Sequence, residues 1–516
     1  MIVAMAQLSS SRPSVRVVII GAGMGGLSAA LRLAHAGHRV TVVEKNARPG
    51  GKVNLLERDG FRFDTGPTIL TMPQEIRRLF SDLARDPDEY VELHPFEPIY
   101  RAHFRDGSTF ELHADERETL EEIRRLSPAD VANYERFMQR TERIWRAIDG
   151  ALFDRLFHSW RDIFAPEVFF AGLQVDALQT MYRRVEGMFA DPRIRQLFMF
   201  QAIYIGASPR QTPATYTVIP YLEQKQGVWF PKGGLYAIVE GAMRVAEELG
   251  VEVRCSAPVA AIRVEGGRAT GVELESGEFL PADVVLSNAD LVHTYGDLVP
   301  SEARKKYSDR KLAGYDPSSS AFILYLAVDR AYPDLVHHNI YFSQDYDDEM
   351  RAIFEEKRMP GDGSWYICAP ARTDPDLAPP GCEALYVLAL APALGPDSPN
   401  WETEKHAMAE RLLNRMEREA GLADIREHIR WQECFTPRDF ETVFNGNRGS
   451  IFGLSAITRQ TAFFRPPNRS EDVRGLYLVG GSTQPGGGVP IVMIGGRLVA
   501  NLIEEDLRSG RLALAR

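Results

Sequence analysis

A glycine-rich turn between an apolar run and a helix-forming run lies near the start of the chain. The apolar residues 17–20 lead into Gly21, Gly23 and Gly26 at Gly-x-Gly-x-x-Gly spacing, and the helix-forming run follows at once. The first glycine permits a tight turn, the second lets the backbone approach a pyrophosphate, and the third lets the helix pack against the strand. The unpaired N–H groups at the start of that helix then face the phosphates. The spacing predicts a dinucleotide-binding turn.

A carboxylate ends the second predicted strand, which spans residues 39–44. At this separation from the glycine turn, an acidic side chain is suited to bind ribose hydroxyls. Glu44 therefore predicts ribose binding, and its charge disfavours a 2′-phosphate and hence NADP. The strand before the turn, the helix after it and the acid agree, which makes the motif far more specific than a lone glycine turn.

A second glycine block follows Glu44 closely. The segment 48–52 contains two adjacent glycines, and Gly66 follows in the segment 60–67. Adjacent glycines allow close backbone approach, here along the ribityl and pyrophosphate part of a longer cofactor. An NAD dehydrogenase has no need of a second glycine block, so the pattern favours FAD.

Three blocks of the sequence resemble a known group. Residues 21–66 resemble the extended FAD fingerprint of the amine oxidase and phytoene desaturase superfamily, and residues 475–490 resemble the C-terminal flavin-binding signature of bacterial-type carotenoid desaturases. The middle block, 227–235, also fits the desaturases, so the resemblance spans nearly the whole chain. One departure is Gln484, where many desaturases carry a histidine, and it puts any proton-handling role of that position in doubt.

This resemblance implies an FAD site assembled from both ends of the chain. A predicted helix at about 491–507 directs its positive N-terminal end at the isoalloxazine, where it stabilises negative charge. Glu44 is expected at the adenosine ribose, and Val259 near the adenine. The expected FAD-binding residues are Gly21, Ala22, Gly23, Gly25, Gly26, Glu44, Lys45, Arg48, Gly50, Gly51, Lys52, Gly66, Pro67, Thr68, Val259, Gly480, Gly481, Ser482, Gly488, Val489, Pro490 and Met493.

The expected fold class is α/β. A discontinuous Rossmann-like FAD-binding domain is expected over residues 12–75, 225–295 and 470–516, with an inserted mixed α+β substrate lobe. The lobe comprises a mostly helical, membrane-facing insertion at 76–224 and a mixed insertion at 296–469. Strands are predicted at 321–327 and 384–390, and a charged helix at 402–420. A substrate site between two such lobes is typical of flavin enzymes.

One apolar stretch in the first insertion has two interpretations. Apolar residues recur at helical spacing over 152–164, with Arg155, His158 and Arg161 between them. An amphipathic helix facing the core explains the pattern. An interfacial helix lying in the lipid headgroup layer also explains it, although three aspartates weaken attraction to anionic lipid.

Composition limits the classes of partner. The chain has 60 basic and 71 acidic residues and no polybasic tail, so nucleic acid is not expected as a partner. Four widely separated cysteines suit a reducing cytoplasm, and the eleven histidines lack metal-ligand spacing, so we expect no disulfide and no metal. No apolar run reaches the ~20 residues that span a bilayer, and no signal peptide is recognised. We expect a cytoplasmic protein, peripheral to the inner face of the cell membrane, and the oligomeric state stays open.

Candidate catalytic residues are few. Asp191 and Arg193 are candidates for the wall of a substrate tunnel, but an Asp before Pro is also typical of a helix N-cap. His293 is a candidate to approach the flavin, with an ordinary surface position as the alternative. Further candidates for the tunnel wall, each equally explained by a core position, are Gln201, Tyr204, Thr215, Tyr216 and Tyr221.

The resemblance implies an FAD-dependent carotenoid desaturase that acts on phytoene or a related lipid-soluble polyene and passes electrons to a quinone or oxygen. Hydride transfer to flavin N5 suits a polyene, because the positive charge left on the substrate spreads over conjugated double bonds. A carotenoid cis–trans isomerase, a terminal-methyl oxidase and a 3,4-desaturase of the same family stay open as alternatives. An amine oxidase is less favoured, and a more remote alternative is a non-enzymatic lipid or prenyl carrier of the same superfold.

Overall fold

The computed structural model describes residues 14–151, 153, 155–157 and 160–512. Its strands are β1 (Arg16–Ile20), β2 (Arg39–Val43), β3 (Leu55–Arg58), β4 (Phe61–Asp64), β5 (Leu93–Pro95), β6 (Tyr100–His103), β7 (Thr109–Leu112), β8 (Trp229–Pro231), β9 (Glu252–Arg254), β10 (Val259–Glu265), β11 (Arg268–Leu274), β12 (Phe279–Pro281), β13 (Val284–Ser287), β14 (Ser320–Val328), β15 (His338–Tyr341), β16 (Trp365–Cys368), β17 (Glu383–Ala391), β18 (Ile429–Phe435) and β19 (Leu476–Leu478).

Its α-helices are α1 (Met24–His35), α2 (Pro73–Ser81), α3 (Glu116–Leu126), α4 (Val131–Ala151), α5 (Pro166–Gly172), α6 (Met181–Glu186), α7 (Pro192–Phe200), α8 (Ile219–Gln226), α9 (Tyr236–Glu248), α10 (Leu291–His293), α11 (Asp309–Ala313), α12 (Tyr346–Phe354), α13 (Trp401–Glu419), α14 (Pro437–Phe444) and α15 (Val489–Arg508). The strand and helix predicted at 39–44 and 491–507 correspond to β2 and α15. Those predicted at 321–327, 384–390 and 402–420 correspond to β14, β17 and α13.

A parallel sheet brings distant parts of the chain together. Its five strands lie in the order β19–β13–β1–β2–β9, and every neighbouring pair is parallel. The central strands are runs of Val and Ile that are buried on both faces, as parallel sheets covered by helices require. Helix α1 packs against α15, which joins the two ends of the chain. The predicted α/β fold class is confirmed.

A second sheet forms the other large layer. Its seven strands lie in the order β18–β14–β17–β16–β15–β6–β7. Strands β14 and β17 are almost wholly buried, since core clusters cover both faces of the sheet. Strands β6 and β7 come from the region expected to be mostly helical and extend this sheet through a parallel pairing of β6 with β15. The domain boundaries given above stay a prediction.

The apolar stretch 152–164 is not one continuous helix, so that prediction is wrong for the described residues. Arg155–Phe157 have no regular structure, and Trp160–Phe164 form a short 3-10 helix before α5. The Gln484 side chain accepts a hydrogen bond from the Phe157 N–H at 2.8 Å and donates one to the Phe157 carbonyl at 3.1 Å. These are the backbone groups that a continuous helix pairs internally. Leu152 and His158 lie outside the described residues.

Candidate active site

A cavity of about 920 Å³ is lined by residues of both sheets. At one end the glycine turn after β1, Glu44 and the loop before α15 form its wall. At the other end the wall is apolar and aromatic, and it includes Ala321, Ile323, Ile340, Tyr366, Tyr386, Leu388 and Leu390 from four strands of the seven-stranded sheet. A largely apolar cavity with a few polar groups at one end is typical of a cofactor and substrate site.

Two helices begin at the polar end of this cavity. The N-cap positions of α1 and α15 are Gly23 and Gly488, and neither first turn contains an acidic residue. Among the described residues, no side chain caps either helix. Both first turns line the cavity, so unpaired N–H groups and two positive dipole ends face the same space. This arrangement fits a cofactor that carries a pyrophosphate and a ring system able to hold negative charge.

Glu44 lies at the carboxyl end of β2, where it lines the cavity and is almost fully buried. One carboxylate oxygen accepts a hydrogen bond from the Ala22 N–H at 2.9 Å. The other accepts one from the Asn46 N–H at 2.9 Å. The carboxylate therefore holds the glycine turn and the loop after β2 in one arrangement, and both oxygens retain acceptor capacity for ligand hydroxyls.

The side chain of Asn288 explains why glycines are required in the turn. Asn288 follows β13, and a Cβ atom added to Gly23 lies 2.6 Å from its Nδ2 atom. A Cβ atom on Gly25 lies 2.8 Å from its Oδ1 atom. The turn thus leaves room both for a ligand and for this amide. Sequence reasoning missed Asn288, although its place after a parallel strand, where ligands bind in such sheets, is a usable signal.

Most of the predicted cofactor residues lie on the cavity wall. Those that line it are Gly21, Gly23, Gly25, Glu44, Lys45, Gly50, Gly51, Lys52, Gly66, Pro67, Thr68, Val259, Gly480, Gly481, Ser482, Gly488, Val489 and Pro490. The Lys52 ammonium donates to the carbonyls of Ser450 and Ile451, both at 2.9 Å. Burial lowers the pKa of Lys52 to about 8, while Asp290 favours its charged form. Lys52 thereby fixes the loop 450–451 beside the glycine block.

Four predicted cofactor residues lie outside the wall. Ala22 is buried and contributes its N–H to Glu44. Gly26 packs inside α1, where an added Cβ atom lies 2.4 Å from the Gly21 carbonyl. Arg48 has an exposed side chain 3.7 Å from Glu57. Met493 is buried, and its carbonyl accepts from the Ser28 hydroxyl at 2.7 Å. Their cofactor role stays a prediction, and the structure gives each of them a supporting or surface position.

The three candidate catalytic residues differ in position. Asp191 is the N-cap of α7, accepting from the Arg193 N–H at 2.8 Å, and the guanidinium of Arg193 pairs with Asp191 and Asp106. Neither residue is on the cavity wall. His293 does line the cavity, with Nδ1 2.7 Å from Asp297 and Nε2 3.0 Å from the Asn445 amide. Of the further candidates, Tyr204, Thr215 and Tyr216 line the cavity, whereas Gln201 and Tyr221 lie behind it.

Arg465 is a site residue that sequence reasoning missed. Its buried guanidinium donates to the carbonyls of Thr483, Gln460 and Leu454 at 3.0 Å each and also to Gly481. It therefore holds the glycine loop before α15 by its backbone. Burial lowers the pKa of Arg465, while Tyr216 and Asp290 favour the charged form. No motif marks this arginine, because its partners are backbone atoms.

A buried carboxyl lies behind the apolar part of the wall. Glu223 on α8 is fully buried, and its Oε2 atom accepts from the Gln201 amide at 2.7 Å. Burial raises the pKa of Glu223 to about 8, and the hydroxyl of the wall residue Tyr204 partly offsets this effect. At neutral pH this carboxyl is therefore largely protonated, and it adds little charge to an apolar cavity.

Comparison with known proteins identifies the family of this chain. The family of flavin-containing amine oxidoreductases matches residues 24–503. The chain is 37% identical over 504 residues to the 4,4'-diapolycopene oxygenase of Methylomonas sp., covering 97% of this chain and 100% of that protein. It is 41% identical over 493 residues to the zeta-carotene-forming phytoene desaturase of Myxococcus xanthus, covering 95% and 94%.

A solved structure shows the same fold at lower identity. An oxidoreductase from Methanosarcina mazei superposes with a TM-score of 0.61 at 19% identity, covering 94% of this chain and all of that one. Within the described part of the chain, no helix is both long enough and apolar enough to cross a membrane. The family match over residues 24–503 and the curated relatives show that the protein is an enzyme that uses FAD, so a non-enzymatic carrier is no longer a candidate. It belongs to the flavin-containing amine oxidoreductase family and, within it, to the bacterial-type phytoene desaturase group.

Proposed function

We propose that the enzyme is a carotenoid desaturase that introduces double bonds into phytoene or a related polyene. One observation carries this proposal: a single cavity runs from the dinucleotide turn to a mostly apolar, aromatic wall long enough to include residues of both lobes. The relatives named for phytoene desaturation and diapolycopene oxygenation support a polyene as the substrate.

The residues of the chain supply binding, orientation and exclusion of water. When bound, FAD supplies an acceptor for a hydride from a C–H bond next to the conjugated system, and a proton leaves the neighbouring carbon. The strands β14, β16 and β17 give an apolar wall that aligns an extended polyene and keeps water out. The neutral Glu223 keeps negative charge away from this wall. A strong base is not required, because a delocalised polyenyl cation is itself acidic.

Anaerobic turnover tests the proposal. FAD-loaded protein in liposomes is given phytoene, and both the visible flavin absorption and the carotenoid products are followed. We expect the flavin absorption to fall as products with longer conjugation form, and a quinone or oxygen to restore it. No reaction with phytoene and no reaction with any partly desaturated carotenoid would contradict the assignment.

A terminal-methyl oxidase is the second candidate. The match to a diapolycopene oxygenase over the full length of that protein favours it. The same assay separates the two functions, because an oxidase consumes an already coloured carotenoid and yields more polar products only when oxygen is present. No reaction with phytoene, together with oxygen-dependent conversion of a coloured carotenoid, would identify the enzyme as the oxidase.

Six large apolar side chains, here called the apolar rim, are exposed in the segment 164–178 and at position 464. It consists of Phe164, Phe169, Phe170, Leu173, Leu178 and Phe464. Phe170 is 62% exposed, and Leu178 is fully exposed. Leu178 and Phe464 also line the cavity, so the rim adjoins its opening. Several large apolar side chains exposed together indicate an interaction site, and a lipid-soluble substrate reaches the cavity most directly from a bilayer. We therefore place the rim against the inner face of the cell membrane.

Replacing rim residues is expected to weaken membrane binding. Each large apolar side chain transferred from water contributes ~1.5–3 kcal/mol, so the double variant Phe170→Ser, Leu178→Ser should bind liposomes at least ~10-fold more weakly. Co-sedimentation with zwitterionic vesicles measures this. The control is Phe279→Ser, because Phe279 is 46% exposed on β12 but is not on the cavity wall. Equal binding by the double variant and the control would refute the membrane-facing role of the rim.

A further inference from the structure

Two histidines and a cysteine lie together in the seven-stranded sheet. His338 begins β15 and is paired directly with Cys368, the last residue of β16. His337 precedes it, and the two imidazole rings lie 4.4 Å apart. One ligand atom from each of these three side chains lies within 4.8 Å of the other two. Antiparallel strand pairing thus collects three donor side chains from two separate segments.

These side chains are buried, and part of their hydrogen-bonding capacity is unused. His337, His338 and Cys368 are 4%, 1% and 2% exposed. The Nδ1 atom of His337 lies 2.6 Å from the Thr373 hydroxyl, and that of His338 lies 2.5 Å from the Tyr366 hydroxyl. Within the described part of the chain, neither Nε2 atom has a hydrogen-bond partner. Each buried, unpaired polar atom costs ~1–3 kcal/mol, and a cation held by both Nε2 atoms would remove this cost.

We propose that His337, His338 and Cys368 bind a soft or borderline transition cation of the zinc class. Two imidazole nitrogens and one thiolate are donors that such cations prefer, and hard cations such as Mg²⁺ prefer oxygen. Zinc distances of ~2.0–2.1 Å to nitrogen and ~2.3 Å to sulfur require ligand atoms closer than their present separation. Binding a cation would therefore draw the three ligand atoms closer together.

The surroundings favour the ligand forms of these groups. When the Nδ1–H groups of His337 and His338 donate to the Thr373 and Tyr366 hydroxyls, the lone pairs of the two Nε2 atoms are left to bind a cation. The hydroxyls at the two Nδ1 atoms orient the rings, as partners of metal-bound histidines do. The ring of Phe96 stacks on His337 at 4.6 Å and fixes its plane. Binding a dication replaces the S–H bond of Cys368 by a metal–sulfur bond and so releases one proton.

The proposed site is connected to the cavity wall. The Tyr366 hydroxyl that contacts His338 also lies 3.0 Å from the Thr68 hydroxyl, and both Tyr366 and Thr68 line the cavity. A cation that fixes His338 therefore also fixes the hydroxyl pair at the cavity. The site serves as a structural clamp between β15, β16 and the wall, and it does not depend on which carotenoid is the substrate.

Metal content and cobalt binding test this proposal on the FAD-loaded enzyme. We expect close to one zinc or copper atom per chain after dialysis against metal-free buffer. After chelation, added Co²⁺ should give thiolate-to-cobalt charge-transfer absorption and release one proton. Cys368→Ser and His337→Gln should each bind at least ~10-fold more weakly, whereas Cys434→Ser, which changes a half-buried cysteine outside the cluster, should bind as the wild type does.

Three results would overturn the proposal. The first is wild-type protein that carries no metal and takes up no Co²⁺ at micromolar concentration. The second is a Cys368→Ser variant that keeps the charge-transfer absorption. The third is a Cys434→Ser variant that binds metal as weakly as Cys368→Ser and His337→Gln do. Retained flavin and an unchanged circular dichroism spectrum identify folded variants, and His337→Gln provides the result if Cys368→Ser does not fold.

Discussion

Glu44→Arg is expected to purify with little or no FAD, whereas the wild-type protein retains it. The carboxylate lines the cavity at the end of β2 and accepts hydrogen bonds from Ala22 and Asn46. Arginine accepts none, so two backbone N–H groups lose their partner, and a positive charge is placed beside the positive end of α1. Loss of two charge-assisted hydrogen bonds to ribose at ~1.5–3 kcal/mol each predicts at least ~100-fold weaker FAD binding.

The ratio of flavin to protein absorption after purification, followed by FAD titration, measures this loss. Glu44→Gln keeps an acceptor oxygen without the charge and should fall between the wild type and Glu44→Arg. The matched control is Glu252→Arg, an exposed acid on the adjacent strand β9 of the same sheet. Full FAD retention by Glu44→Arg would remove the ribose assignment while leaving the glycine turn untouched.

Glu223→Gln is expected to stabilise the folded protein increasingly as pH rises. In the unfolded chain this carboxyl ionises with a pKa near 4.5, whereas burial raises its folded pKa to about 8. Below pH 4.5 the carboxyl is protonated in both the folded and the unfolded chain, so it does not change the free energy of unfolding. Between these values only the unfolded chain loses the proton, so wild-type stability falls with pH, and the deficit is complete above pH 8. The amide carries no such penalty.

Over this window the stability difference between Glu223→Gln and wild type should grow by about 3–5 kcal/mol. Denaturant unfolding at pH 5, 6, 7 and 8 measures it, and the comparison rests on the pH trend, which cancels any constant packing difference. Asp64 and Glu349, whose pKa values burial raises to about 6 and about 7, contribute the same trend to both proteins. Glu247→Gln, on the exposed face of α9, is the control for replacing an acidic side chain by its amide. A parallel pH profile for Glu223→Gln and wild type would show that the carboxyl is already ionised or solvated.

The cofactor end of the cavity was largely predictable from sequence. The strand, glycine turn and helix are adjacent in the chain, so the spacing of Gly21, Gly23 and Glu44 predicts their geometry. The helix after Gly488 was predictable for the same reason. The supporting residues were not: Asn288 and Arg465 act through contacts with backbone and glycines that no short motif records.

The stretch 152–164 shows where local reasoning fails. Its apolar residues do recur at helical spacing. However, the side chain of Gln484, 327 residues away in sequence, hydrogen-bonds to the N–H and carbonyl of Phe157, which a helix would pair internally. Apolar residues of the same region, Phe164 and Phe170, then lie on the surface instead of in a core. A periodic pattern reports that one face is apolar, and tertiary contacts decide what that face meets.

The sequence by itself determined the glycine turn, the α/β class and the choice of FAD, because these rest on short motifs at residues 21–66 and 475–490, within each of which the residues are close together in the chain. The tertiary structure decided the cavity wall, the buried Glu223 behind it, the apolar rim and the His337, His338 and Cys368 cluster. Each of these joins segments far apart in sequence, and their burial and mutual distance exist only once the sheets have formed. Strand pairing, which sets His338 opposite Cys368, is the physical step that local spacing does not encode.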